Sequence, residues 1–591
     1  MRWVAESLFA AEGTRARTAK VEALANALRE VHAAEPERLP FVARFLTGTM
    51  LPTDDDRTLG TGGAIVFEAA CAISKSTAAE LGARTGRAGD LGTAVCEAMG
   101  ANGVTGEGLS LELAETTAHT LASTGSKAEK LRALGDALAT CSPLEARYLV
   151  RAILGEMRVG AKEGIVEDAI AKAFERTLPD VRRAAGIVAD VGELARLAAN
   201  DQLADARVVL GRPIGFMLAT PIETARGADL TQAHSVEDKI DGIRAQAHVS
   251  QEGVKLFARG KGAVTAAFPD VATPLHEAAR SGTLASAILD GEIVVVTADG
   301  RPRPFSAIQP RLKKTTPDDD LLRDYPVVYM AYDILFENDE ALLDQTFLAR
   351  RARLAAWAAN APKPLLLHDS RPLVDEAAVE PEFEAARARG YEGLVLKRLD
   401  APYAAGVRGF SWLKVKKALA TLDVVVVAAE RGHGKRAGVL SDYTFAVRDT
   451  GNLGQLLVVG KAYSGLTDEE IRMMTERLEG LAIGEEKRGW LAVKPEIVLE
   501  VAFDGLQRSE RHKSGFALRF PRIARIRDDK KPEEADTLDA VRALYDAQLA
   551  SGHREDKVAA DRKPEKKKGK KSGRRPDIRQ KSKQLKLFDD D

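Results

Sequence analysis

The chain has 591 residues, 45% of them hydrophobic and 29% charged, with 86 Lys and Arg against 87 Asp and Glu for a formal net charge of -1. That length exceeds what one hydrophobic core supports, so about three or four domains are expected, and the balanced sum excludes a uniformly basic surface while leaving room for local asymmetry. Cys71, Cys96 and Cys141 form no CxxC pair and no ligand spacing with histidine, and Glu6 falls where a signal peptide needs an apolar core, so neither a disulfide framework nor a structural zinc is supported and a cytoplasmic protein is expected.

In chain order, residues 1–205 read as an all-α domain. Ala, Leu, Glu and Arg dominate, glycine turns such as LGTGGA at Leu59–Ala64 interrupt, and in LEARYLVRAILGEMRVGAKEG the residues Leu149, Ile153, Leu154 and Met157 recur at helical spacing. From 206 to 418 the texture changes to short β-branched runs, ILDGEIVVV, YPVVYMAYDILF and EGLVLKR, with helical pieces such as LARRARLAAWAA between them; an α+β domain is expected. Residues 419–548 carry DVVVVAAERGHG, YTFAVRD, LLVVGKAYSG and EIVLEVAFDGL with one helical insert, TDEEIRMMTERLEG, the pattern of a small β-barrel. Residues 549–591 are almost free of apolar side chains and rich in lysine and arginine, so a disordered basic tail is expected. No internal repeat and no apolar run near the ~18 residues of a membrane span is present.

The octapeptide EDKIDGIR, Glu237–Arg244, sets one amine among charges. It reads either as a solvated turn or as a nucleophilic lysine with its supporting groups. Lysine at its reference pKa of about 10.4 is a poor nucleophile, and activating it takes desolvation or nearby positive charge. Gly242 would let the backbone turn tightly, Arg244 could supply charge or donors to a phosphate, and Glu237 and Asp241 could accept from a base, a sugar or the amine. Downstream, in order, come Arg259 in FARGKG, DGE at Asp290–Glu292, YDILF from Tyr332, EGLVLK at Glu392–Lys397 and RGFSWLKVKK with Arg408, Trp412, Lys414 and Lys416. Taken singly, Lys414 and Lys416 could be the exposed face of a strand and Glu292 a turn carboxylate on a hairpin.

This ordered string resembles the motifs shared by covalent nucleotidyltransferases: ATP-dependent DNA ligases, RNA ligases and mRNA capping enzymes. LVRAILGEMRVGAKEGIVEDAI before it, with LDVVVVAAERGHGKRAGVLSDYTFAVRD, VGKAYSGLTDEEI and KSGFALRFPRIARIRDDKKPEEADT after it, narrow the resemblance to ATP-dependent DNA ligases of the bacterial and archaeal kind. Tyr332 stands where that family has phenylalanine and Phe216 where it has proline; tyrosine stacks on a base as phenylalanine does. The resemblance implies a helical DNA-binding domain, an adenylation domain and an OB-fold domain that encircle nicked duplex DNA, and a monomer working at the nucleoid with ATP and Mg²⁺. It implies that Lys239 takes AMP from ATP, with Asp241 beside it. Glu237 would read the adenine edge, Tyr332 stack on the ring, and Arg244 and Arg259 hold ribose and phosphate. Glu292 and Glu392 would meet ribose and Mg²⁺, hard cations preferring carboxylate oxygens, while Arg408, Lys414 and Lys416 would neutralise phosphates. Arg527, Asp529 and Lys530 would orient pyrophosphate once the domains close. An RNA ligase-like nucleotidyltransferase, or a catalytically inactive clamp-associated DNA-binding protein, are the alternatives; the helical N-terminal region speaks against the first and the full set of catalytic residues against the second. No G-x-x-x-x-G-K-[ST] stretch supports a P-loop ATPase.

The tail ends in KQLKLFDDD. Gln584, Leu585, Leu587 and Phe588 resemble the short motif by which bacterial replication and repair proteins dock on the sliding clamp, with Lys586 departing at its variable third position. A few apolar anchors on a disordered leash suit a small pocket on a mobile partner.

Overall fold

The computed structural model describes residues 1–550 apart from 56, 223–229, 261, 298–299, 304, 313–315, 416–419, 433–435, 437, 453 and 487–488. None of the helices among these residues is long and apolar enough to cross a membrane.

Before Leu218 the described chain is helical, from Arg2–Glu12 to Val191–Ala199, without a strand. The helix starts are written locally: Thr77 with Glu80 and Ser142 with Glu145 form reciprocal capping boxes, each satisfying amides that a helix leaves open. Leu28, Phe45, Val95, Leu149 and Ile170 meet in one apolar core. One expectation is corrected here. The helix Pro143–Ile153 stops before Met157, because Gly155, Arg158 and Gly160 take left-handed backbone conformations. Met157 is still buried, and it enters the core from the following turn, against Gly48. Helical spacing marked the right core residues but not the chain path between them.

The middle region builds two sheets. The first runs β1 (Leu218–Ile222), β11 (Arg408–Val415), β10 (Gly393–Arg398), β2 (His234–Lys239), β9 (Arg371–Pro372). The second runs β4 (Val254–Ala258), β3 (Ile243–Val249), β5 (Ala287–Val295), β6 (Val327–Glu337), β7 (Glu340–Ala341), with β8 (Leu365–Leu367) also on β6. The DGE segment is no hairpin turn: Asp290–Glu292 lies in the middle of β5. Gly291 is needed because a Cβ there would sit 2.6 Å from both the Met330 carbonyl oxygen and the Tyr329 ring. Gly242 follows the same logic. A Cβ would come within 2.5 Å of the Ile293 carbonyl oxygen and 2.8 Å of Glu292 Cγ, so close approach to β5, rather than a tight turn, demands glycine after Lys239.

The C-terminal region is a sheet domain in the order β14 (Leu456–Ala462), β13 (Leu440–Arg448), β12 (Ala420–Arg431), β16 (Val498–Phe503), β19 (Arg522–Ile526), with β15 (Trp490–Ala492) on β12 and a hairpin of β17 (Gly505–Arg508) and β18 (Phe516–Arg519). Val424, Phe445, Val459, Leu499 and Phe503 fill its core, closed by the helices Asp468–Gly480 and Leu538–Ala550 through Met474, Leu478, Val541 and Tyr545. Helical region, two-sheet region and sheet domain belong to one compact unit.

Candidate active site

Strand alternation assembles the site, because successive side chains point to opposite faces. On β10 and β11, Leu394, Leu396, Leu413 and Val415 enter an apolar core with Phe383. Their neighbours Val395, Lys397, Arg408, Trp412 and Lys414 turn the other way and line a cavity together with Glu237 and Lys239 of β2. Register sets the rows: Val395 pairs with both Glu237 and Lys414, and Lys397 pairs with Trp412. The second sheet does the same. Ala245, Leu289, Ile293 and Tyr329 face its core, while Arg244, Glu292 and Tyr332 line the cavity with Arg259, Arg244 lying directly opposite Glu292. The cavity is the space between two sheets whose inward faces alternate out of register with their cores.

One end is closed and tightly bonded. Glu237 and Lys397, 2% and 1% exposed, form a 2.7 Å ion pair, and the Lys397 ammonium sits 4.3 Å from the ring centroids of both Tyr332 and Trp412. Glu237 Oε1 and Trp412 Nε1 have no hydrogen-bond partner among the described residues, which leaves an acceptor and a donor for a ligand. Arg244 is held by Asp290 at 2.6 Å and donates to the Met217 carbonyl at 2.6 Å, while Tyr403 donates to the same Asp290 at 2.7 Å. The Arg244 guanidinium also lies 5.0 Å from the Phe216 ring centroid, so the aromatic residue that stands in place of the expected proline supports this arginine.

The other end gathers cations. Lys239 ends β2 and pairs with Glu392, whose amide donates to the Lys239 carbonyl at 2.9 Å. Burial pushes the Lys239 amine below its ordinary value, with Arg244 adding to this and Glu292 and Asp241 opposing it. Lys414 is lowered too, by burial and then by Lys239, Arg408 and Arg259. Burial raises the Glu292 carboxyl to about 7 against the pull of Lys239 and Arg244. Among the described residues no group of three or more His, Cys, Asp or Glu is arranged to hold a metal. Glu292 and Glu392, flanking Lys239, fit instead a Mg²⁺ ion held by one or two carboxylates together with phosphate oxygens and water.

The structure therefore brings together Lys239, Glu237, Arg244, Arg259, Glu292, Tyr332, Arg408 and Lys414 in the cavity, with Glu392 bonded to Lys239 at its edge. It does not bring Asp241 there: Asp241 Oδ2 accepts from the Phe305 amide at 3.2 Å and from Arg519 of the sheet domain at 3.2 Å. Arg527, Asp529 and Lys530 also lie outside the cavity: Arg527 and Lys530 share Asp423, at 2.9 and 2.6 Å, and Asp529 bonds to Arg527 at 2.7 Å. Lys416 and the tail residues Gln584, Leu585, Leu587 and Phe588 lie outside the described residues. Lys397, Trp412 and His368 line the cavity without having been assigned a role from sequence. Trp412 shares a face with Lys414 two residues on, so alternation could have flagged it; nothing local flags His368.

Comparison with known proteins agrees with this geometry. The ATP dependent DNA ligase domain matches residues 216–416, the DNA ligase N terminus residues 2–171 and the ATP dependent DNA ligase C terminal region residues 436–530. A probable DNA ligase of Koribacter versatilis is 40% identical over 576 residues, covering 93% of this chain and 97% of that one. The DNA ligase of Methanococcoides burtonii is 35% identical over 536 residues, covering 86% and 93%. The solved structure of Pmar-Lig_Pre shares the fold, with a TM-score of 0.58 at 17% identity over 89% of this chain and 99% of that one. A half-buried lysine between two sheets, ringed by carboxylates and cations, sits inside the match to the middle domain, and the chain belongs to the family of ATP-dependent DNA ligases, which use ATP and Mg²⁺ to seal nicks in DNA.

Proposed function

We propose that Lys239 is the nucleophile by which this chain seals 3′-hydroxyl/5′-phosphate nicks in duplex DNA. The observation that carries the reading is the placement of a half-buried amine, lowered by desolvation, at the cation-rich end of a cavity whose other end holds an open carboxylate oxygen and two aromatic rings. The neutral amine attacks the α-phosphorus of ATP, a P–N bond forms, and the bond to pyrophosphate breaks. Glu237 accepts from the exocyclic amine of adenine and Tyr332 bounds the ring. Arg259, Arg408 and Lys414 meet the phosphates where charge grows, and Glu392 orients the Lys239 amine. Arg244, committed to Asp290, shapes the ribose side. Glu292 and Glu392 would hold Mg²⁺, which when bound neutralises phosphate charge. AMP then passes from Lys239 to the 5′-phosphate of the nick, and the 3′-hydroxyl displaces it.

The same reading takes residues 1–205 as the DNA-binding domain, 206–418 as the adenylation domain and 419–548 as an OB-fold, encircling DNA as a monomer through contacts to its backbone. It takes Arg527, Asp529 and Lys530, with Asp241, as residues used when the domains rearrange, and Lys416 as a further cation that neutralises the phosphates. It takes 549–591 as a basic tail whose Gln584, Leu585, Leu587 and Phe588 dock on a bacterial sliding clamp; the apolar anchors at the tip of a basic segment support this.

Incubated with ATP and Mg²⁺, the protein should gain one AMP and seal nicked DNA in preference to nicked RNA. Lys239→Ala should do neither, and an adenylylated Lys239→Ala protein would refute the assignment.

A further inference from the structure

Two short segments pass between the sheets that wall the cavity: residues 240–242 join β2 to β3, and a second joins β8 to β9. β8 lies on β6 of the second sheet, with Leu367 opposite Ala331, and β9 lies on β2 of the first, with Arg371 opposite Val236. Between them run residues 368–370. His368, the first of these, is tied to both walls. Its backbone amide donates to the Ala331 carbonyl at 2.8 Å, the residue before Tyr332. Its ring Nε2 lies 2.8 Å from the Asp238 carbonyl oxygen, the residue before Lys239. A carbonyl only accepts, so Nε2 carries the proton and donates. Arg351, from the helix Phe347–Ala358, donates to the His368 carbonyl and fixes the segment from behind. The imidazole is 6% exposed and lines the cavity, and burial lowers its pKa, which keeps the ring neutral.

We propose that His368 is a positioning residue for the adenylation step: a strut that sets the distance between the strand carrying the nucleophile, Lys239, and the strand carrying the adenine-stacking ring, Tyr332. Attack on the α-phosphorus requires the base seated against Tyr332 and the amine in line at the same moment. These groups belong to different sheets, and His368 hydrogen-bonds to the residue adjacent to each. The inference rests on the lysyl-adenylate reading above and adds to it a residue that never touches the reacting atoms.

The test separates three measurements on the full-length protein. These are single-turnover formation of the protein–AMP adduct at saturating and limiting ATP, sealing of a nick whose 5′-phosphate already carries AMP, and thermal unfolding. His368→Met removes the donor at similar volume, and His368→Gln offers an amide N–H near the position of Nε2. His368→Met should slow adduct formation at saturating ATP by at least about tenfold, since small misplacements of reacting groups cost that much or more. Sealing of the pre-adenylated nick, which needs no attack by Lys239, should stay within about twofold of wild type, and His368→Gln should recover most of the lost rate. The strut is refuted if His368→Met forms the adduct at the wild-type rate, if both sealing reactions fall by the same factor, or if the glutamine variant is no better than the methionine one. If His368→Met unfolds early, the glutamine variant alone decides, since a strut requires it to hold near-wild-type adduct formation. A wild-type protein that takes up no AMP would instead overturn the lysyl-adenylate reading.

Discussion

Two charge clusters in this molecule are built in opposite ways. In the helical region Arg151, 3% exposed, is saturated: it holds Asp90 at 2.9 Å, Glu12 at 3.0 Å and Thr93 at 3.0 Å, while Arg147 and Tyr148 bring 2.7 and 2.8 Å bonds to the same Glu12. In the cavity, Lys239, Lys414, Arg259 and Arg408 are set close enough that three of them lower the Lys414 amine. The first arrangement answers each desolvated charge with an opposite one, and its product is stability. The second gathers like charges, and its product is affinity for something more negative than the protein supplies, as the phosphates of ATP are.

Asp90 tests the saturated cluster and should give the largest effect. Burial alone would raise its carboxyl, but hydrogen bonds from Arg151 and Thr93 outweigh this and hold it well below its ordinary 3.8. A carboxyl depressed in the folded state contributes stability that is whole above its unfolded value and is lost as pH falls below about 4. Asp90→Asn should therefore cost about 3 kcal/mol at neutral pH in denaturant unfolding, by leaving Arg151 short of a partner, and should flatten the acid limb of the stability profile. Lys414→Met makes the opposite test. It should slow protein–AMP formation by about a hundredfold while leaving the unfolding midpoint unchanged or slightly raised, because a repulsion is relieved. A midpoint that falls as far as that of Asp90→Asn would erase the contrast between the clusters. Arg259 is exposed, so Arg259→Ala should cost no more than about fivefold in the same assay, a loss that shrinks further in high salt.

Much of this was legible in the sequence because strands repeat every two residues. Once RGFSWLKV is read as a strand, Arg408, Trp412 and Lys414 share a face, and once EDK is read as a strand, Glu237 and Lys239 share another. The helical texture before Leu218 and the sheet texture after Leu422 followed from composition and periodicity. What escaped depends on contacts between segments far apart. Lys397 looks like a solvated strand lysine until Glu237, 160 positions earlier, is seen against it. His368 sits in an unremarkable LLLHDS stretch, and its partners belong to two different sheets. Asp241 sat in the most informative octapeptide, yet its contact is with Arg519, in another domain. Gly242 reads as a turn former and is instead, like Gly291, a place where two segments of the chain pass too close for a Cβ.

The cavity walls come from separate sheets, so the slot between them can breathe without breaking a strand ladder within either one. A nucleotide that stacks on one wall and bonds covalently to the other becomes a rivet. Amide hydrogens of β2 and β6 should then slow their exchange together once AMP is attached, and the enzyme is stiffest while it carries its cargo to DNA and loosest after letting go.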